Sequence, residues 1–287
     1  MLLIDELIEK VKQTSSVVLG VDPNFELLPE EFRAKTKQDL KVKLNQFCSE
    51  VLQASVGLVA AVKFQSGYFE QFGLTGLEVL KDNLILAKKL GLLTIMDAKR
   101  GDIGSTNLAY SKAYFESGAD LESDFLTINP FLGLQASSAF FSVAKEKNKG
   151  LFALVKTSNP DSNLIQEAVL NGRQVSETVA GFLNIQNLEN LGDYGYGNFG
   201  AVVGATKADK IAVLRKLMPN TFWLVPGYGA QGGDYSLVKN FFNSDGLGAI
   251  FPMSRELTYP SFEEIKLSGF REAVKQRIQK AVKLIHN

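Results

Sequence analysis

Leu92-Leu93-Thr94-Ile95-Met96-Asp97-Ala98-Lys99-Arg100-Gly101-Asp102-Ile103-Gly104-Ser105-Thr106 is the stretch that decides the fold. Its first half is a short apolar run, the pattern of a strand covered on both faces. Its second half breaks into charge and glycine before a helical period opens near residue 105. A buried strand that ends in charge and is followed by a helix is one βα unit of a parallel sheet. Asp97 and Lys99 stand two residues apart, so strand alternation points both toward the same side, at the open end of the sheet.

The same unit recurs in both directions along the chain. Apolar runs at 17–21, 58–63, 92–97, 125–128, 151–155, 199–203, 222–225 and 249–251 alternate with stretches of helical period, for example 37–55, 75–90, 105–117, 135–146, 207–217 and 261–285. Eight units predict an α/β fold, the (β/α)8 TIM barrel, and 287 residues without a Pro-rich or Ser-rich linker fit one domain spanning 1–287. One connection, 159–198, is too long for the pattern. It holds a helix-like piece at 175–191 and the stretch Asp193-Tyr194-Gly195-Tyr196-Gly197, and reads as an insertion after the fifth strand, either a lid or a plain insertion.

Composition narrows the function. Hydrophobic residues make up 45 % and charged residues 22 % of the chain, which is globular usage. Thirty-one Lys and Arg balance 31 Asp and Glu, so no global field favours nucleic acid or an anionic membrane, and an anionic ligand must be held locally. The one cysteine, Cys48, lies in an amphipathic helical stretch and reads as a core thiol. The N-terminus lacks a basic segment and a long apolar run, so neither a signal peptide nor a membrane anchor is expected, and a cytoplasmic location follows. The one histidine, His286, is penultimate, out of reach of a catalytic or metal-binding role.

In this fold the active site is built at the carboxyl ends of the strands. Those ends read Asp22; Lys63; Asp97 to Asp102; Lys156-Thr157-Ser158-Asn159; Pro226-Gly227-Tyr228-Gly229-Ala230-Gln231-Gly232-Gly233; and Ser254-Arg255. A buried lysine between carboxylates stays protonated, because opposite charge offsets desolvation, and so suits proton donation rather than Schiff-base chemistry. The Asp97–Lys99 pair taken alone is equally a structural ion pair at a strand end. Lys63 on the adjacent strand argues for function, since alternating acids and bases around one mouth are costly to bury. Gly227, Gly229, Gly232 and Gly233 let backbone amides approach an anion, a helix is expected to open near Gly233-Asp234, and Arg255 can grip a phosphate bidentately.

Three segments in order, 96–106, Val155-Lys156-Thr157-Ser158-Asn159-Pro160 and 226–233, carry a resemblance to the orotidine 5'-monophosphate decarboxylase family, in particular its longer bacterial branch. The resemblance covers nearly the whole barrel. It implies conversion of orotidine 5'-monophosphate to UMP and CO2, the last step of de novo pyrimidine biosynthesis, with no cofactor and no metal. It implies a homodimer with shared active sites, in which Lys63, Asp97 and Lys99 of one subunit are joined by Asp102 of the other. Lys99 is the implied proton donor to the C6 carbanion. Asp22 and Lys63 are implied to bond the ribose, and Ser158 or Thr157 to read the pyrimidine amide. Thr106 is counted with the substrate-binding residues, and Gln231 and Arg255, with Gly229, Gly232 and Gly233, are implied to hold the phosphate. One segment departs from the family: Phe251-Pro252-Met253-Ser254 stands where an Asn-Ser-Ser-like run is expected, and Pro252 removes a backbone donor.

Two other readings fit parts of the sequence. A metal-dependent sugar-phosphate decarboxylase or aldolase of the same superfamily also uses Asp-x-Lys-x-x-Asp, but carries a glutamate where Lys63 stands. A non-catalytic phosphate-binding barrel would leave the charged set without a task. A Schiff-base aldolase lacks its lysine, since the sixth strand ends Val202-Val203-Gly204-Ala205-Thr206.

Overall fold

The computed structural model describes residues 1–204, 208–227 and 235–286. Within them eight parallel strands close a barrel: β1 (Val17–Val21), β2 (Ala61–Gln65), β3 (Leu93–Arg100), β4 (Phe125–Ile128), β5 (Gly150–Lys156), β6 (Gly197–Val203), β7 (Thr221–Leu224) and β8 (Ala249–Met253). Each pairs with its neighbour in chain order, and β8 returns to β1 through Val17↔Phe251. Helices lie between the strands, which is the expected (β/α)8 barrel.

Alternation along the strands divides the core in two. Inward residues Val18, Ala61, Ile95, Phe125, Phe152, Phe222, Leu224 and Ile250 form one buried cluster. Outward residues such as Val17, Leu19, Phe64, Met96, Leu126, Trp223 and Phe251 pack beneath helices, joined by Leu44, Phe47, Val51 and Leu80. Gly200 is needed where it stands, because a Cβ there would lie 2.4 Å from the Phe152 ring. That space lets Phe152 and Phe125 fill the barrel axis with ring centroids 5.2 Å apart.

A helix not anticipated from the sequence, Leu3–Gln13, closes the amino end of the barrel. Its Leu3, Ile4, Leu7, Ile8 and Val11 belong to the inner cluster. Its first turn is fixed by Asn198, whose Oδ1 accepts from Ile4 N at 2.9 Å.

Several boundaries differ from expectation. The second strand is 61–65 rather than 58–63, because Leu58 N still closes a turn on Ser55 O after the helix Leu40–Ser55. The run at 261–285 is two helices, Phe262–Ser268 and Phe270–His286, divided where Gly269 takes φ 80°. The long connection holds a short helix, Ser162–Gln166, a two-stranded hairpin of Val169–Leu170 with Arg173–Gln174, and the helix Val175–Leu188. Asn171 and Gly172 turn that hairpin with φ 52° and 77°, the asparagine-glycine signal of a two-residue turn. Gly233 and Asp234, where a helix is expected to open, lie outside the described residues; the 3-10 helix Tyr235–Phe241 follows them. Among the described residues no helix is long and apolar enough to cross a membrane.

Candidate active site

Asp22, Lys63, Asp97, Lys99, Thr157, Ser158 and Arg255 line one cavity of about 1160 Å³ at the carboxyl end of the barrel. Their placement follows from alternation. The inward column of β2 runs Ala61, Lys63, Gln65, and that of β3 runs Leu93, Ile95, Asp97, so the barrel filling turns polar where the apolar layers stop.

Asp97 is the hub. Its Oδ1 lies 2.6 Å from Lys99 Nζ and accepts from Thr127 Oγ1 at 2.9 Å. Its Oδ2 lies 3.2 Å from Lys63 Nζ and accepts from Gln65 Nε2 at 3.2 Å. Lys63 Nζ is also 3.9 Å from Asp22 Oδ1. Burial works to raise the Asp97 carboxyl, but Lys63, then Lys99 and Thr127, outweigh it and hold it at about 2. Burial likewise works to strip the Lys63 proton, and Asp22 and Asp97 outweigh that and lift its pKa above the ordinary lysine value. Two ammonium groups and two carboxylates thus share one pocket. Lys99 is the accessible ammonium, its side chain 42 % exposed against 10 % for Lys63.

Lys99 reaches Asp97 through a distorted backbone, and not through the regular alternation the sequence suggested. It has φ 48°, a left-handed conformation that a non-glycine residue adopts at a cost of about 1–2 kcal/mol. The β3–β4 register breaks between Met96 and Arg100, and Lys99 N donates to Thr127 Oγ1 at 2.9 Å. Beyond the kink Arg100 is held by Glu70 Oε1 at 2.6 Å and by Tyr114 OH at 3.2 Å. Backbone strain at Lys99 fits a position whose geometry is dictated by surrounding contacts.

Asp102 and Thr106 do not join this cavity. The Asp102 carboxylate accepts from Ile103 N at 2.7 Å, and Asn107 Nδ2 donates to its carbonyl. Gly101 approaches the next strand end closely, where a Cβ would sit 2.4 Å from Asn129 O; the left-handed glycine of this segment is Gly104, φ 48°. Thr106 is exposed on the helix Gly104–Phe115. Around this turn Ile103, Phe131 and Leu132 expose apolar side chains.

Thr157 is clamped by Gln166, whose Oε1 accepts from Thr157 N and whose Nε2 donates to Thr157 Oγ1, both at 2.9 Å. Arg255 is exposed at the start of the four-residue helix Arg255–Thr258. Pro252 is accommodated because it lies beyond the last β7–β8 rung, Ile250↔Leu224, so its missing N–H breaks no rung of that ladder among the described residues. Gln231, Gly229, Gly232 and Gly233 lie outside the described residues. Among the described residues no three His, Cys, Asp or Glu side chains are grouped to hold a metal ion.

Sequence reading gave no role to Gln65, Thr127 or Tyr259. Extending alternation by one step past Lys63 and Phe125 would have found the first two. Tyr259 carried no local signal: its hydroxyl donates to Asp22 O at 2.5 Å and accepts from Asn24 N at 2.7 Å, a contact across more than two hundred residues of chain.

Residues 35–240 match the model of the orotidine 5'-phosphate decarboxylase / HUMPS family. A curated orotidine 5'-phosphate decarboxylase of Rhodopirellula baltica is 39 % identical over 258 residues, covering 87 % of this chain and 85 % of that protein. One from Clostridium novyi is 37 % identical over 287 residues, covering 98 % of each. A crystal structure from Streptomyces avermitilis, assigned as an orotidine 5'-phosphate decarboxylase, superposes with a TM-score of 0.85 at 32 % identity, covering 98 % of this chain and 94 % of that one.

Proposed function

This chain belongs to the orotidine 5'-phosphate decarboxylase / HUMPS family and is a carboxy-lyase of pyrimidine biosynthesis, converting orotidine 5'-monophosphate to UMP and CO2; from that premise we propose that Lys63, Asp97 and Lys99 carry the chemistry. The observation that supports this most is the clamped Asp97, an ionised carboxylate fixed between a buried and an accessible ammonium.

With the pyrimidine over Lys99, the C6 carboxylate lies against Asp97. The C6–carboxylate bond breaks, CO2 leaves, and the electron pair stays on C6, where little resonance disperses it. The Lys99 ammonium stabilises that charge as it develops and then transfers one proton to C6, giving UMP and a neutral amine that regains its proton from solvent. Lys63, buried and held by Asp22 and Asp97, offsets the charge of those carboxylates and bonds the ribose with Asp22. Thr157 or Ser158 reads the pyrimidine amide, and Arg255 with Gln231 and the glycines 229, 232 and 233 holds the phosphate. Binding energy from that remote phosphate is available to drive the reacting end toward the transition state.

We further read 1–287 as a single cytoplasmic domain that works without metal or cofactor, as a homodimer in which Asp102 of each subunit completes the other's site. Asp102, which does not line its own subunit's cavity, and the exposed apolar Ile103, Phe131 and Leu132 support this reading. Lys63 at the second strand disfavours the sugar-phosphate alternative. The test is absorbance on mixing pure protein with orotidine 5'-monophosphate: loss of the substrate band with stoichiometric UMP is expected, and binding without turnover would overturn the reading.

A further inference from the structure

Lys156 ends β5 just past an irregularity in the β5–β6 register between Leu154 and Lys156; it does not line the cavity, and the mechanism above gives it no task. It is 4 % exposed. Its ammonium is turned under the loop that follows and meets three acceptors there: Ser162 Oγ at 3.0 Å, Asn163 Oδ1 at 2.5 Å and Glu167 Oε1 at 3.3 Å. A lysine ammonium has three protons, so its bonding capacity is spent entirely on this loop. Ser162 Oγ donates onward to Thr157 O at 3.0 Å, and Glu167 Oε2 reaches Lys210 Nζ at 3.2 Å on the helix after β6.

The loop is thereby drawn into a ring around its first two residues. Gln166, next to Glu167, makes the two-point clamp on Thr157. Gly204, just past β6, donates its N–H to Lys156 O at 2.7 Å, and a Cβ there would sit 2.8 Å from Ser158 N, so the chain after β6 packs closely against the Ser158 backbone. Thr157 and Ser158 are left with little freedom while facing the cavity.

We propose that Lys156 is a positioning residue for recognition of the base: its buried ammonium, acting through Ser162, Asn163 and the Glu167–Gln166 turn, fixes Thr157 and Ser158 at the pyrimidine end of the cavity. The proposal rests on the reading that Thr157 or Ser158 bonds the pyrimidine amide. It assigns discrimination of the base to the long connection after β5. A lysine suits this better than a neutral donor, because a buried charge must keep all its acceptors, which makes the loop conformation all-or-none.

The test uses Lys156→Met, which removes the charge at similar volume, and Gln166→Leu, which cuts the clamp on Thr157 from the helix Ser162–Gln166 and leaves the strand intact. Steady-state kinetics with orotidine 5'-monophosphate are read beside inhibition by ribose 5-phosphate, which has the phosphate and sugar but no base. Each variant should lower kcat/KM about tenfold or more, the scale of one lost aligned hydrogen bond, with the ribose 5-phosphate inhibition constant within about twofold of wild type. Lys156→Arg, which keeps the charge, should recover part of the loss. Unchanged kinetics in both variants, or a parallel loss of ribose 5-phosphate binding, would overturn the proposal. Thr157→Ala and Ser158→Ala separate the two layers: if neither affects the substrate, the assignment of the base contact fails, and if either does while Lys156→Met and Gln166→Leu do not, only the positioning role fails.

Discussion

Asp97→Asn removes one negative charge from the centre of the site and keeps the shape of the side chain. In the folded protein Asp97 contacts Lys63 at 3.2 Å, Lys99 at 2.6 Å and Thr127 at 2.9 Å. A carboxyl held at about 2 in the folded chain, against about 3.9 when unfolded, contributes on the order of 2–3 kcal/mol of stability at neutral pH. Because the folded value is depressed, that stability is present above pH about 4 and fades as the pH falls toward 2, with about half left at pH 3. The substitution also leaves two ammonium groups against one carboxylate, with Lys63 3.9 Å from Asp22, so the total cost should reach roughly 3 kcal/mol. Lys99 loses its anchor, and kcat should fall by about two orders of magnitude or more. Urea unfolding of wild type and variant at pH 7 and pH 3 measures the first effect: the gap between them should shrink by about half at the lower pH. A gap that is the same at both pH values, or a kcat within about threefold of wild type, would refute the claim that Asp97 is an ionised hub.

Lys99→Ala should lower kcat about a thousandfold or more with UMP affinity little changed by titration, whereas Arg255→Ala should mainly raise KM and still turn over at high substrate. Lys99→Ala and Asp102→Ala should each be nearly inactive, yet mixing and subunit exchange should restore about a quarter of wild-type activity, since half the dimers are mixed and one of their two sites is intact. No recovery after exchange verified by mass spectrometry would place Asp102 outside a shared site. EDTA should leave the rate unchanged; loss with EDTA and return with magnesium would favour metal-dependent sugar-phosphate chemistry instead.

The sequence by itself determined the barrel and the identity of its charged mouth, because both rest on period-two patterning that each strand carries locally. Apolar runs ending in Asp22, Lys63 and Asp97 can be read without knowing what packs against them, and those residues do meet in one cavity. Local signals also existed for features the reading passed over, such as the Asn171-Gly172 turn and the alternation that continues to Gln65 and Thr127. Tertiary structure alone decided the rest. Lys99 meets Asp97 through a left-handed residue and a register break, which depend on Thr127 in the next strand. The N-terminal helix became the floor of the barrel because Asn148 and Asn198 accept from its first amides. Tyr259 holds Asp22 across more than two hundred residues of chain, and Lys156, a strand-end lysine like Lys63 in sequence, is turned away from the cavity by acceptors on its own loop. Strand patterns are set by which side of the sheet is dry, whereas the direction of a charged side chain is set by the partners that offset its desolvation, and those partners are brought together only by folding.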